Sequence, residues 1–139
     1  MMLPEIEVAN ILSGNKKLTQ LMADLREDRL DYEPIFTDTP DDSFIKASSA
    51  PWIRVTSITG DNAIYGDNTR LFEYPRVQVD FWLPDDKLIS LEKLQDLIYE
   101  TLHDNGYERY YKDRYHDPDL DGCLMVTANF EGFRERNEE

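Results

Sequence analysis

The sequence has very few of the residues that staple small domains together. Its 139 residues contain one cysteine, Cys123, and two histidines, so no disulfide can form within the chain and the usual zinc ligand sets cannot be assembled. A single cysteine fits a reducing compartment without proving it. The fold must therefore depend on a hydrophobic core, and a chain of this length can bury roughly 68% of its unfolded surface.

Long apolar runs are also absent. No segment approaches the roughly 20 apolar residues of a membrane span. Residues 1–8 lack the basic start followed by an apolar run that marks a signal peptide. We therefore expect no association with a membrane.

Positive charge is scarce. Fifteen basic residues face 29 acidic ones, which gives a formal net charge of -14. This balance disfavours binding to a phosphate backbone. The charge can simply keep the protein soluble, or it can provide a surface that DNA passes without adhering.

Helical spacing appears in three places. Pro4 suits the first position of a helix, Gly14 can end it in the left-handed conformation, and Asn15 can cap a second helix. One long helix bent at Gly14 is the alternative. Ser90 can cap a third helix, which Asn105-Gly106 would close and whose apolar stripe comprises Leu91, Leu94, Leu97, Ile98, Thr101 and Leu102.

Period-two alternation predicts the strands. They are a short strand at residues 35–37 and longer ones at 52–58, 74–83, 107–116 and 124–130. Residues 39–51 and 59–73 contain turn-forming residues and are expected to be loops. The order of elements predicts an α+β fold, with an antiparallel sheet of about four to five strands and helices packed on one face. We expect a single domain over residues 1–139, ordered from about 4 to 131, with a frayed charged tail at 132–139.

No catalytic, cofactor-binding or metal-binding residue is predicted. Asp117 to Gly122 resembles the start of a calcium loop, but its twelfth position is Ala128 instead of glutamate. We interpret it as an acidic turn and leave weak cation binding open. His116 and Cys123 flank this turn as possible cross-strand neighbours, yet no third group is available to orient them.

One face of the predicted sheet is a candidate interface. Val77, Val79 and Phe81 would face the helices, which leaves the tryptophan side of that strand to be covered. Tyrosine, tryptophan and arginine are enriched at protein interfaces. The residues proposed for a subunit or partner interface are Trp52, Arg54, Arg76, Gln78, Asp80, Trp82, Tyr110 and Tyr111.

Three alternatives to an interface stay open. The segment 59–73 can fold over Trp82 from within the chain. The cluster of tyrosines at positions 107, 110, 111 and 115 can be ordinary sheet packing. Those tyrosines can also stack on single-stranded nucleic acid, although that mode requires a basic groove.

The layout resembles a known family. A helical unit precedes Pro34-Ile35-Phe36, a loop leads into Pro51 to Val55, a long loop leads into Tyr74 to Trp82, and a helix and a hairpin follow. Over residues 4–131 this order resembles the tail terminator, or tail-completion and head–tail joining, proteins of long-tailed bacteriophages. It looks most like those of phages and prophages of Gram-positive bacteria.

The resemblance implies a non-enzymatic virion protein, assembled in the host cytoplasm. It would form a ring, expected to be hexameric, that caps the tail tube and joins it to the head connector, with DNA passing through without specific binding. Its partners would be other copies of the chain, the tail-tube protein and head connector proteins. Segments 39–50 and 59–73 would then be contact loops, the second through Asp61, Asn62, Tyr65, Asp67, Asn68 and Arg70.

Two other functions remain as alternatives. The chain can be another head-completion or tail-assembly subunit of the virion. It can also be an acidic inhibitor that mimics DNA, in which case its carboxylates should be spaced like phosphates on one face. The scattered basic residues argue mildly against that mimic.

Overall fold

The first two helices begin and end close to the predicted positions. In the computed structural model, which describes residues 2–60, 63–66 and 69–135 (the backbone alone at 63–66 and 69–71), α1 spans Pro4–Ser13 and α2 spans Lys16–Leu25. Asn15 Oδ1 accepts the Leu18 N–H at 3.2 Å, so the predicted cap is confirmed and two separate helices form. The left-handed conformation expected of Gly14 is wrong, because its φ of -79° is right-handed.

The third helix differs from its prediction at one end. A 3-10 helix, Asp85–Ser90, leads directly into α3, Leu91–His103, and the Ser90 side chain makes no capping hydrogen bond. Ser90 therefore precedes α3 as predicted, but it does not cap the helix through its side chain. The predicted end is confirmed: Gly106 has φ 87°, its N–H donates to His103 O at 3.1 Å, and the Tyr107 N–H donates to Leu102 O at 2.9 Å. This pair of backbone hydrogen bonds is a Schellman motif.

The main sheet has five strands in the order β1-β2-β5-β7-β6. β1 pairs parallel with β2, and the other neighbours are antiparallel. The predicted α+β class, with helices packed on the sheet, is confirmed. The strands of the chain are β1 (Ile35–Phe36), β2 (Trp52–Ser57), β3 (Ala63–Gly66), β4 (Thr69–Glu73), β5 (Arg76–Pro84), β6 (Glu108–His116), β7 (Cys123–Glu131) and β8 (Arg134–Glu135).

The helices cover one face of this sheet. Alternate residues of β2, β5 and β7 pack with α1, α2 and α3 in the larger hydrophobic core, as the alternation predicts. The strand residues in this core are Ile53, Val55, Val77, Val79, Phe81, Leu83, Leu124, Val126, Ala128 and Phe130. None of the helices in the described part of the chain is both long and apolar enough to cross a membrane.

A second, small sheet was not predicted. β3 and β4 pair as an antiparallel hairpin within the expected loop 59–73, and β8 pairs with β4. Phe133 stacks on Phe72 with ring centroids 5.2 Å apart, and Arg134 donates to Glu7 at 3.0 Å. These contacts hold residues 132–135, the start of the expected tail, against the rest of the fold.

Gly132 provides a test of this packing. A Cβ atom added there would lie 2.7 Å from Tyr107 Cε1, and that ring is buried with its hydroxyl hydrogen-bonded to Glu7. Gly132→Ala should therefore lower the free energy of unfolding by about 1–2 kcal/mol, the overpacking cost less a smaller gain from restricting the unfolded chain. Urea denaturation measures this. The exposed control Ser57→Ala should change it by less than about 0.5 kcal/mol, and an unchanged Gly132→Ala midpoint would contradict the packing.

Candidate interaction surface

The sheet face opposite the helices, here called the outer face, divides into three zones. It carries the other alternate side chains of β2, β5, β7 and β6. Because β2 pairs with β5 and β5 with β7 in continuous register, Trp52, Trp82 and Met125 lie side by side, as do Arg54, Asp80 and Thr127. All eight residues predicted for an interface come from the strands that form this face.

The first zone is an aromatic cluster. Trp52 and Trp82 stack with centroids 4.9 Å apart, and Phe44 meets Trp52 edge-on at 5.4 Å. Trp82 Nε1 donates to Asp117 Oδ2 at 2.8 Å. Trp52 is 1% exposed and Trp82 is 6% exposed. The expectation that this side needs a partner subunit to cover it is therefore wrong.

The cover comes from the chain itself, but not from the segment considered for that role. Residues 36–50, with Phe36, Phe44 and Ile45, pack on the tryptophans, and Leu120 of the acidic turn joins them. The segment 59–73 forms the β3–β4 hairpin. The predicted surface loop 39–51 thus forms a layer over the aromatic cluster.

The second zone is polar and largely enclosed. Asp80 has a fully buried side chain, and it accepts from Arg54 Nη2 at 2.8 Å and from Gln78 Nε2 at 3.0 Å and 3.1 Å. The Arg54 guanidinium also lies 5.0 Å from the centre of the Trp82 ring. A buried carboxylate is costly unless it is paired and hydrogen-bonded. The polar groups of Arg54 and Gln78 therefore serve mainly to stabilise the Asp80 carboxylate.

The third zone is open and is here called the tyrosine surface: Tyr110, Tyr111 and Tyr115 of the edge strand β6, with Arg76. The tyrosines are 51%, 49% and 40% exposed. Arg76 donates to Glu131 at 2.7 Å, and its guanidinium lies 5.6 Å from the Tyr110 ring centre. Tyr110 lies beside this cation, whereas Tyr115 lies further along β6, opposite Met125. A partner can reach all three half-exposed phenol rings, of which Tyr110 and Tyr111 belong to the predicted interface.

Some predicted residues lie elsewhere. Tyr107, grouped with the other tyrosines by sequence, is 3% exposed and donates to Glu7 Oε1 at 2.8 Å. Burial and the Glu7 carboxylate raise the pKa of Tyr107 to about 12. Of the predicted contact loop, Tyr65 and Arg70 are paired in the hairpin backbone. Asp61, Asn62, Asp67 and Asn68 lie outside the described residues.

The acidic turn is held by hydrogen bonds. Asp117 accepts from Trp82 Nε1 with one oxygen and from the Asp119 N–H with the other, at 2.9 Å. Gly122 has a left-handed φ of 85°, as a tight turn requires. Within the ranges that the structure describes, no group of three or more His, Cys, Asp or Glu residues is arranged to hold a metal ion.

His116 and Cys123 are not direct cross-strand partners. In the sheet register His116 lies opposite Leu124, while Cys123 lies opposite Pro84 on β5. Cys123 is 1% exposed. Burial, followed by the Asp117 and Asp85 charges, raises the pKa of the Cys123 thiol to about 11, so the nucleophilic thiolate is disfavoured.

A cluster of three polar side chains, Tyr99, His103 and Glu108, was not predicted from the sequence. Glu108 accepts from the Tyr99 hydroxyl at 2.6 Å and lies 2.8 Å from His103 Nδ1. These hydrogen bonds lower the pKa of Glu108, and the bond to Glu108 raises the pKa of Tyr99. The i,i+4 spacing of Tyr99 and His103 was the available signal. The group is exposed and ties the start of β6 to α3.

Comparison with known proteins gave no identification: no protein-family model matches the chain, and no curated protein matches its sequence.

Trp82 and Tyr111 should respond differently to truncation. Trp82→Ala should lower the free energy of unfolding by about 3–5 kcal/mol, because it empties a buried aromatic site. Tyr111→Ala, at a half-exposed position, should cost less than about 1 kcal/mol. Thermal and urea denaturation of both variants measure this difference. Equal, small losses would show that Trp82 is not a core residue.

Cys123 should be almost unreactive in the folded protein. At pH 8 a thiol of pKa near 11 has about 100-fold less thiolate than one of pKa 9, and burial slows access further. Alkylation by iodoacetamide, followed by mass spectrometry, should thus be at least 100-fold slower than in urea. The raised pKa also favours the folded state below pH 9, and this stabilisation should disappear as pH rises through about 11. If Cys123 in the folded protein were alkylated as fast as a surface thiol introduced by Ser57→Cys, its burial would be contradicted.

Proposed function

We propose that the chain is a non-enzymatic tail terminator subunit, which forms a ring that caps a phage tail tube and joins it to the head connector. The observation that carries this proposal is the tyrosine surface. It presents three half-exposed phenol rings along β6, and one of them, Tyr110, lies beside an arginine already paired with Glu131. Rigid aromatic groups with an arginine are typical anchors of protein–protein contacts.

The charge distribution supports a protein partner over nucleic acid. Binding of single strands through stacked tyrosines requires a continuous basic groove along the backbone. On the outer face the two arginines, Arg54 and Arg76, are engaged by Asp80 and Glu131. With a net charge of -14 for the whole chain, DNA could pass close to such a ring without adhering to it.

The arrangement of the secondary structure also supports the proposal. Apart from the β3–β4 hairpin, which stands where a long loop was expected, the order of helices and strands that underlies the resemblance to tail terminators is the order found in the fold, from α1 to β7. A DNA-mimic inhibitor would need a row of unpaired carboxylates on one face. On the outer face Asp80, Asp117 and Glu131 are instead occupied by Arg54, Trp82 and Arg76.

Tube capping tests the function directly. The purified chain is mixed with polymerising tail-tube protein encoded in the same viral or prophage genome, and tube length is measured by electron microscopy and co-sedimentation. We expect shorter tubes, each with a ring at one end. Tubes of unchanged length, with no co-sedimenting chain, would rule out the terminator function.

A matched pair of variants tests the surface. Tyr111 and Tyr32 are each 49% exposed, but only Tyr111 belongs to the tyrosine surface. Tyr111→Ala should raise the dissociation constant of the assembly contact about tenfold or more, as loss of an interface anchor does. Tyr32→Ala should leave that constant unchanged. Equal behaviour of the two variants would assign the contact to another surface.

A further inference from the structure

The 3-10 helix Asp85–Ser90 exposes two adjacent aliphatic side chains. Leu88 is 52% exposed and Ile89 is 99% exposed. The apolar stripe of α3 begins only at Leu91, so neither side chain is needed for the core of its own chain. Asp85, Asp86 and Lys87 share this element, here called the apolar turn.

A groove lies between α2 and α3. Leu21 and Leu97 line it, and it has a volume of about 530 Å³. Its other lining residues include Lys16, Lys17 and Lys93, with Asp24. No residue of the apolar turn lines the groove of its own chain. The groove is thus an apolar slot with a largely basic rim, in a chain that is strongly acidic overall.

The lysines are not explained by the stability of their helices. The first turn of a helix favours acidic side chains, because the helix dipole is positive there. α1 has Glu5 and Glu7 in its first turn, but α2 begins with Lys16 and Lys17. Among the described residues, no ion pair involves either lysine or Lys93.

The apolar turn and the groove complement each other in hydrophobicity and in charge. Two aliphatic side chains match the apolar lining of Leu21 and Leu97. Two aspartates and one lysine on the turn match three lysines and one aspartate around the groove. This pairing of opposite charges around an apolar centre is the usual anatomy of a specific interface.

We propose that the apolar turn of one copy of the chain docks into the α2–α3 groove of a second copy. Such a contact joins two different surfaces, and head-to-tail contacts of this kind close into rings or extend into filaments. The inference rests on the proposed ring-forming function in requiring contact between copies, yet it can be tested on the purified chain alone.

Sedimentation velocity over a concentration series tests the turn. Ile89→Ser should raise the dissociation constant of self-association about tenfold or more. Because Ile89 is fully exposed, its thermal stability should match that of the wild type. The control Leu3→Ser replaces another aliphatic side chain, 58% exposed beside Ile58 and Thr59, and should associate like the wild type.

A mixing experiment tests the groove as the receptor. Lys17→Glu/Lys93→Glu alters only the rim, and this variant on its own should also self-associate about tenfold or more weakly. Mixed with Ile89→Ser, it should form dimers, because the mixture contains one intact turn and one intact groove. Charge reversal on the turn, Asp85→Lys/Asp86→Lys, should likewise restore association with the reversed groove.

Each result separates this inference from the proposed function. A wild-type chain that is monomeric at its solubility limit, or an Ile89→Ser variant that associates normally, overturns the docking. Failure of the mixed variants to dimerise overturns the pairing of turn with groove. Docking that passes these tests, with no effect on tail-tube length, would leave the inference intact and reject the terminator function.

Discussion

Strand β5 must bury side chains on both of its faces, and the rest of the structure follows from that requirement. It lies at the centre of the sheet, between β2 and β7. Val77, Val79 and Phe81 turn towards three helices, while Trp82 turns the other way and stacks on Trp52. Large apolar groups on both faces require two covering layers. The helices form one, and residues 36–50 with the acidic turn form the other, which covers only the tryptophan end. The rest of the outer face remains open, and Tyr110, Tyr111 and Arg76 of the tyrosine surface lie there, while Tyr115 lies beside Met125 near the tryptophans.

Local sequence was sufficient for the three α-helices and the five strands of the main sheet, and for the facing of side chains along the regular strands. Period-two alternation in β5 assigned Val77, Val79 and Phe81 to the face that the helices cover, and the Gly106 and Asn15 caps were recognisable from chemistry within a few residues. The cover over Trp82 was not predictable in this way. Phe44 and Ile45 lie in a polar segment containing Pro40 and Pro51, which has no periodicity, and they meet Trp82 only through the tertiary fold. Alternation tells which way a side chain points, but not what packs against it.

The candidate site shows the same limit. Tyr107 and Tyr111 are four residues apart and similar in sequence context, yet one is buried and the other half-exposed. Tyr107 directly follows Gly106 in the motif that ends α3, which directs it towards Glu7. Tyr111 follows an irregularity in the β6–β7 register at residues 109–111, which places it opposite Asn129 on the outer face. Caps and bulges reset the alternation, so a count along the sequence cannot place these two tyrosines, whereas Arg76 and Gln78 in regular β5 were placed correctly.

Net charge sets the final constraint on any assembly of this chain. Each copy carries a formal charge of -14, so copies repel one another at distances within about a Debye length, roughly 8 Å at physiological salt. Contacts between copies must overcome this repulsion by burying apolar area or by bringing the scarce cations to the interface. Many arginines are already engaged within the chain, as Arg54, Arg76 and Arg134 are with Asp80, Glu131 and Glu7. Lys16, Lys17 and Lys93 lie instead around an apolar groove. Cations that serve no ion pair in the described chain, at a helix start that disfavours them, are well placed to attract an acidic copy of the same protein.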